Sequence, residues 1–450
     1  MAASQVAVNL QPDLLSRMAE ARARTDAIFD LLPPNSYYER PIAERHRLIF
    51  YLGHLEAFDW NLFSEPLSLK SDTAEFDKLF AFGIDPVDGG VPSDKPKDWP
   101  TITRVEKYNR NIRQRLDDAL LHAVKAGALD RGASDGTLLH VAIEHRLMHA
   151  ETLAYLLHNL AFDKKKAPSR PQPDLRGAPI ARRVTIAGGI ATLGMSSAQP
   201  HAFGWDNEFG EQEIHVPEFS IDAFPVTNAE YTKFVQAGGY QNARHWKSED
   251  WKWKQRAGIE YPHYWSLPHG QRADDPNARW QLRAMFGAIP LPMSWPVYVS
   301  QAEASAFAAW AGKKLPTETQ WHRAAYGTSQ GTERAYPWGD ATQSSTQGNF
   351  HHRNWDATAV DAHPESASAF GVFDLLGNGW EWTRSEFGPL PGFRAFPFYP
   401  GYSANFFDGK HFVMKGGSAR TDACMLRRTF RNWFQPHYPY VYTKFRCVEE

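Results

Sequence analysis

Three histidines carry the types and spacing that could do chemistry. The stretch His140-Val-Ala-Ile-Glu144-His145-Arg-Leu-Met-His149-Ala-Glu151-Thr-Leu153 has no Gly or Pro, few β-branched residues and apolar positions three and four apart. That spacing predicts a helix. His145 and His149 are one turn apart, so both imidazoles leave the same face. Neutral imidazoles so placed bind one metal ion and leave room for a third ligand. His54 offers that ligand. It sits in Leu48-Ile-Phe-Tyr-Leu-Gly-His54-Leu-Glu-Ala-Phe-Asp-Trp60, an almost wholly apolar run, where a buried imidazole needs a partner. Glu151 falls about 200° round the helix from His149, which makes it a supporting or bundle-facing group rather than a ligand. His140 and His158 face elsewhere. Taken singly, the pair also fits a helix with two surface histidines, and His54 a core histidine bonded to a carbonyl or carboxylate. Their coexistence points to a metal.

These residues must be positioned by helices. Periodicity predicts a first helix from Pro12 to Leu32, closed by Pro33-Pro34, and a second from Pro41 to Phe63. A third is expected from Thr101 or Thr103 to about Ala126, ending at Gly127, and a fourth from Ser134 or Asp135 to about Leu160. The Gly- and Pro-rich connection from Glu65 to Trp99 carries aromatics and reads as an ordered loop near the site. Four helices with one long crossover form a bundle that can build a metal site from facing helices. A polar, Pro-rich stretch then reads as a linker, residues 164–182. From Arg183 short apolar runs alternate with Gly, Asn, Asp and Pro. Only two helices stand out, Asn228 to Val235 and Ser300 to Ala311, the latter opening on a Ser-Gln-Ala-Glu capping box. The expected fold class is α+β, with a bundle over 1–163 and a second domain over 183–450.

Composition excludes several classes. Net charge is −2 over 450 residues, which marks neither a nucleic-acid nor a membrane-surface binder. Two cysteines argue against a disulfide scaffold. No run approaches the ~20 apolar residues of a membrane span, and the start lacks the basic and apolar regions of a signal peptide. The expected location is cytoplasmic. The sixteen tryptophans suit irregular cores and sites for flat or cationic ligands.

His54 with His145-Arg-Leu-Met-His149-Ala-Glu151 resembles the three-histidine iron site of the DinB-like domain in the ergothioneine-biosynthesis sulfoxide synthases. The second half is similar to their other domain, a C-type-lectin-like, formylglycine-generating-enzyme (sulfatase-modifying factor) fold with little regular structure. The motifs that carry this likeness are Phe224-Pro-Val-Thr-Asn, Lys314-Leu-Pro-Thr-Glu-Thr-Gln-Trp321, Tyr336-Pro-Trp-Gly-Asp340, Asp374-Leu-Leu-Gly-Asn-Gly-Trp-Glu-Trp382, Gly416-Gly-Ser418 and Phe445-Arg-Cys-Val448. Formylglycine-generating enzymes use a cysteine pair after Gly-Gly-Ser. Here only Cys424 follows, at another spacing, and Cys447 reads as core, so this domain is expected to bind rather than to oxidise through cysteine.

The resemblance implies Fe(II) on His54, His145 and His149 with three positions open to hercynine, a chalcogen donor and O2. Zinc is the alternative metal, since imidazole suits it as well. It implies that Asn432 and Trp433 hold hercynine, the trimethyl betaine of histidine, with Phe434, Arg431, Arg420 and Tyr402 nearby. Aromatic faces suit a quaternary ammonium, and Asn or Arg suits its carboxylate. The family's catalytic tyrosine is not visible: in Gly392-Phe-Arg-Ala-Phe-Pro-Phe398-Tyr399-Pro-Gly-Tyr402, Phe398 stands at the phenol's place, and Phe82-Gly-Ile-Asp-Pro86 lacks the tyrosine pair of another type. The missing phenol favours the selenoneine synthase relatives, which join a selenosugar to hercynine. A sulfoxide synthase using cysteine or γ-glutamylcysteine is the alternative. Further rivals are a non-redox, thiol-dependent DinB-like metallotransferase and a non-catalytic binding protein.

Overall fold

The computed structural model describes residues 2–81, 92–125, 136–168, 173–197 and 203–450. The chain divides into two compact units, Met1–Ser169 and Arg170–Glu450.

The first unit is helical. It contains α1 (Ala2–Phe29), α2 (Leu48–Phe63), the short α3 (Ala74–Leu79), α4 (Ile102–Lys125) and α5 (Thr137–Asn159). α1 packs on α5, and α2 packs on both α4 and α5. α5 is buried nearly all round, which is the signature of a central helix. α4 buries a single stripe of Val105, Tyr108, Ile112, Leu116 and Leu120.

Two expected boundaries are corrected. α1 begins at Ala2, ten residues before Pro12, which the helix accommodates in its interior. α2 begins at Leu48 and not at Pro41, because Arg47 is extended (φ −65°, ψ 154°). Its guanidinium is tied to Tyr38 O at 2.6 Å and Asp94 at 2.9 Å, which holds the preceding segment in turns. The crossover is ordered where it is described. Phe80 packs on Phe76 and Trp99, and Trp99 on Phe50. Asp94 accepts from Trp99 Nε1 at 2.7 Å. The expected ends at Ala126 and Gly127, the caps Ser134 and Asp135, and the stretch Phe82–Pro86 lie outside the described residues.

The second unit is built of small sheets: β1 (Arg183–Ile186), β2 (Gly189–Leu193), β3 (Gln212–Val216), β4 (Phe219–Asp222), β5 (Trp265–Ser266), β6 (Gln281–Ala284), β7 (Gly287–Pro290), β8 (Trp380–Glu386), β9 (Phe412–Lys415), β10 (Asn432–Phe434), β11 (Thr443–Lys444) and β12 (Val448–Glu449). β4 lies between β1 and β12; β2 pairs β3; β6 lies between β5 and β7. The fourth sheet runs β10-β9-β8-β11, antiparallel except for the parallel β8–β11 pair.

Helices α6 (Asn228–Gln236), α7 (Ser248–Ala257), α8 (Gln301–Trp310) and α9 (Glu318–Tyr326) accompany the sheets. α8 starts on the expected capping box: Ser300 N donates to Glu303 at 2.8 Å, and Glu303 N to Ser300 Oγ at 3.3 Å. α7 and α9 were not expected. Their signals were present, in Gly258 closing α7 at φ +64° and in the Thr317/Gln320 box opening α9.

The core of this unit gathers Ile221, Trp321, Phe350, Leu375, Leu426 and Val448. Polar knots hold its loops. Glu381 accepts from Arg446 Nε at 2.7 Å and Nη2 at 2.6 Å, and from Trp321 Nε1 at 2.8 Å. Gly416 is at φ +96°, and a Cβ there would stand 2.5 Å from Leu375 O, so only glycine fits. The Asp-Leu-Leu-Gly-Asn and Gly-Gly-Ser motifs are thus structural at these positions.

Candidate metal centre

α2 and α5 bring His54, His145 and His149 together, each no more than 4 % exposed. One ligand atom from each lies within 4.8 Å of the others. Ring centroids are 5.4 Å apart for His54–His145, 4.9 Å for His54–His149 and 4.5 Å for His145–His149. Among the described residues no other trio of metal-ligating side chains converges in this way.

The tautomer of His54 follows from its partner. Nδ1 lies 2.7 Å from Phe80 O. A carbonyl only accepts, so Nδ1 donates and Nε2 of the neutral ring carries the lone pair. That Nε2, together with Nδ1 of His145 and Nδ1 of His149, is buried without a hydrogen-bond partner. Such orphaned atoms cost about 1–3 kcal/mol each, and the lone pair on His54 Nε2 is satisfied when something electron-poor meets it. Burial pushes the His54 imidazolium down to about 4 and holds His145 and His149 well below the ordinary range. Three neutral imidazoles with buried lone pairs are a fit donor set for a divalent transition metal.

Sequence reasoning missed the supports. Phe58 stacks on His145 at 3.4 Å between centroids and 10° between planes. Phe50 stacks on His54 at 4.9 Å. Arg146 bridges Glu56 and Asp59, both 1 % exposed or less. The Arg146 and Arg113 guanidiniums overcome the burial of Glu56, which alone would raise its pKa, and hold it at about 2. Two carboxylates inside an apolar run were the available signal. Glu151 is half-buried and is not one of the converging groups.

In the second unit Trp433, on β10, stacks on Phe387 at 4.1 Å and 8°. Tyr402 meets it edge-on at 5.4 Å, Phe406 lies tilted to it by 47° at 5.5 Å, and Tyr402 in turn stacks on Trp205 at 4.0 Å. Asn432 uses Oδ1 to accept from Trp433 N at 2.8 Å. Strand alternation sends Phe434 to the face opposite Trp433, where it stacks on Tyr438 at 5.1 Å.

The two arginines are committed elsewhere. Arg431 makes a two-pronged pair with Glu318 at 2.9 and 3.1 Å and donates to Gly388 O at 2.9 Å. Arg420 lies 3.8 Å over the Trp355 ring and donates to His352 O and Asn354 O. Phe398 is 38 % exposed and stacks on Phe396. The structure thus joins Trp433 and Tyr402 in one cluster and places Phe434, Arg420 and Phe398 outside it.

Residues 168–450 match the sulfatase-modifying factor enzyme 1-like domain family, and residues 17–153 the DinB superfamily. A hercynine oxygenase of Mycobacterium tuberculosis is 34% identical over 348 residues, 77% of each chain. The chain belongs to the ergothioneine-biosynthesis sulfoxide synthase family. Members of that family are oxidoreductases, and so is this chain. Another hercynine oxygenase, from Mycolicibacterium smegmatis, is 36% identical over 66% of this chain and 68% of its own. Ergothioneine biosynthesis protein 1 of Neurospora crassa is 28% identical over 93% of this chain and 56% of its own. Among the described residues of this family member, no helix is long and apolar enough to cross a membrane.

Proposed function

We propose that the protein is an iron(II)- and O2-dependent enzyme that forms a carbon–chalcogen bond at imidazole C2 of hercynine. The observation that carries this is the buried trio of neutral imidazoles, His54, His145 and His149, with one ligand nitrogen from each converging within 4.8 Å in a chain of this family. Iron(II) held by three histidines would keep positions open for a chalcogen donor and O2 and supply the oxidising chemistry.

The chain's own residues do the rest. The Phe80 carbonyl keeps the His54 lone pair inward. Burial keeps all three rings unprotonated at neutral pH. Trp433, backed by Phe387, offers a face for the trimethylammonium, which cannot donate hydrogen bonds. Asn432, by the same strand alternation that turns Phe434 away, leaves β10 on the face opposite Trp433, with its Oδ1 turned back to accept from Trp433 N, so the carboxylate is not assigned to it. Tyr402 sets the phenol of this cluster beside Trp433.

For the donor our reading is a selenosugar, because Phe398 brings no phenol to the segment and the surrounding side chains are neutral aromatics suited to stacking. The thiol reading, with cysteine or γ-glutamylcysteine, is favoured by the names of the relatives and keeps Tyr402 as its source of a phenol.

The test is competition. Anaerobically iron-loaded enzyme receives hercynine, O2 and equal cysteine, γ-glutamylcysteine and selenosugar, and products are identified by mass. A C2–Se product is expected. A dominant sulfoxide would overturn the donor and leave the scaffold standing. Equal activity with zinc, or none that depends on O2, would overturn the oxidative reading.

A further inference from the structure

We propose that Arg146 is a positioning residue for the three-histidine centre: held by Glu56 and Asp59, it sets the rotation of α5 against α2 and so the approach of His145 and His149 to His54. The proposal rests on the metal-centre reading above.

Arg146 follows His145 directly, so its side chain leaves α5 about 100° round from that imidazole. Its Nη1 donates to Glu56 Oε1 at 3.0 Å, and its Nη2 to Asp59 Oδ2 at 2.6 Å and Leu55 O at 2.9 Å. All three acceptors lie within the five residues of α2 that follow His54. The planar fork of a guanidinium reaches them together, which a single ammonium cannot do.

The knot is wider than this pair. Arg113 of α4 reaches Glu56 at 2.7 Å and Asp26 of α1 at 2.6 Å. Arg22 of α1 lies 3.8 Å from Asp59 and donates to Asp117 of α4 at 2.5 Å. All four long helices meet in it, and α5 enters through Arg146.

Burying such charges is an inefficient way to stabilise a bundle, since apolar side chains of like volume often do as well or better. What charged forks add is a defined rotation. A ligand atom near the outer radius of a helix, about 5–6 Å from its axis, moves about 1 Å when the helix turns by about 10°. Metal–ligand distances tolerate about 0.2 Å. A sliding apolar seam would therefore spoil the site long before it unfolded the bundle.

The experiment titrates cobalt(II) alone into metal-free full-length protein and follows the visible d–d bands. Arg146→Lys keeps the charge but cannot span both carboxylates; the affinity should fall 10–100-fold and the bands should change shape. Arg113→Lys disturbs the same Glu56 from α4, a helix without a ligand, and should lower the melting temperature while leaving cobalt affinity as in wild type. Wild-type affinity and bands in Arg146→Lys would overturn the proposal. Equal losses of affinity in both variants would overturn it too, because the knot would then act through stability alone. Should Arg146→Lys fail to fold, Asp59→Asn loosens the second arm of the fork and carries the same two outcomes. Failure of the wild type itself to bind one cobalt per chain would instead remove the metal-centre reading.

Discussion

His54 donates its Nδ1 proton to the carbonyl of Phe80 across 2.7 Å, and the approach depends on the glycine beside it. A Cβ on Gly53 would stand 2.6 Å from three atoms of the Phe80 ring, which is fully buried. Gly53→Ala should gain up to about 1 kcal/mol of helix propensity and lose about 1–3 kcal/mol to overpacking. The clash should win, lowering the melting temperature and weakening metal binding as Phe80 shifts. Unchanged metal affinity would mean that this carbonyl is not needed to orient His54.

Replacing His145 or His149 by Ala should abolish stoichiometric metal binding and coupling. In the metal-free protein the cost should be modest, because the cavity penalty is partly offset by removing a buried nitrogen without a partner. The readout is melting with and without metal. Wild type should be raised by the ion, as any ligand of the folded state does, and the variants should not. His54→Ala should behave alike with a larger loss of stability, since it opens a hole in an apolar helix face.

Trp433→Ala should weaken hercynine binding by the ~0.5–2 kcal/mol of a cation held on an aromatic face, with metal content unchanged. Calorimetry with hercynine and with histidine checks it. Histidine, which lacks the methyl groups, should bind wild type more weakly, and equal affinities for the two would count against the betaine assignment.

Lys415 gives a pH prediction for the second unit. It ends β9, beside the strand that carries Trp433, and donates to Phe430 O at 2.6 Å and Arg428 O at 3.0 Å. Burial, with Arg431 nearby and Glu318 opposing, brings its pKa down from 10.5 to about 8. The folded state therefore releases this proton before the unfolded chain does. The penalty for the buried charge is complete below about pH 8 and is relieved as pH rises toward 10.5, by about 3 kcal/mol in all. Denaturant unfolding between pH 8 and 10 should show a rising stability component in wild type that Lys415→Met lacks. Parallel pH profiles for the two would contradict the depressed pKa.

What could be read from the chain alone was local. His145 and His149 one turn apart, His54 inside an apolar run, the Ser300–Glu303 box and the ordered set of Gly, Asn and Trp motifs each depend on neighbours within a few residues, where helix period and turn chemistry suffice. Tertiary structure decided the rest, because the partners are far apart in sequence. Phe80, 26 residues from His54, sets the tautomer, and Arg146, 87 residues from Asp59, ties α5 to α2. A buried guanidinium takes whichever carboxylate the fold brings near, so Arg431 binds Glu318, 113 residues away, and serves as an anchor of the fold. Likewise Trp433 and Phe434 read as one binding strip until β10 paired with β9, when the two-residue period of a strand sent them to opposite faces.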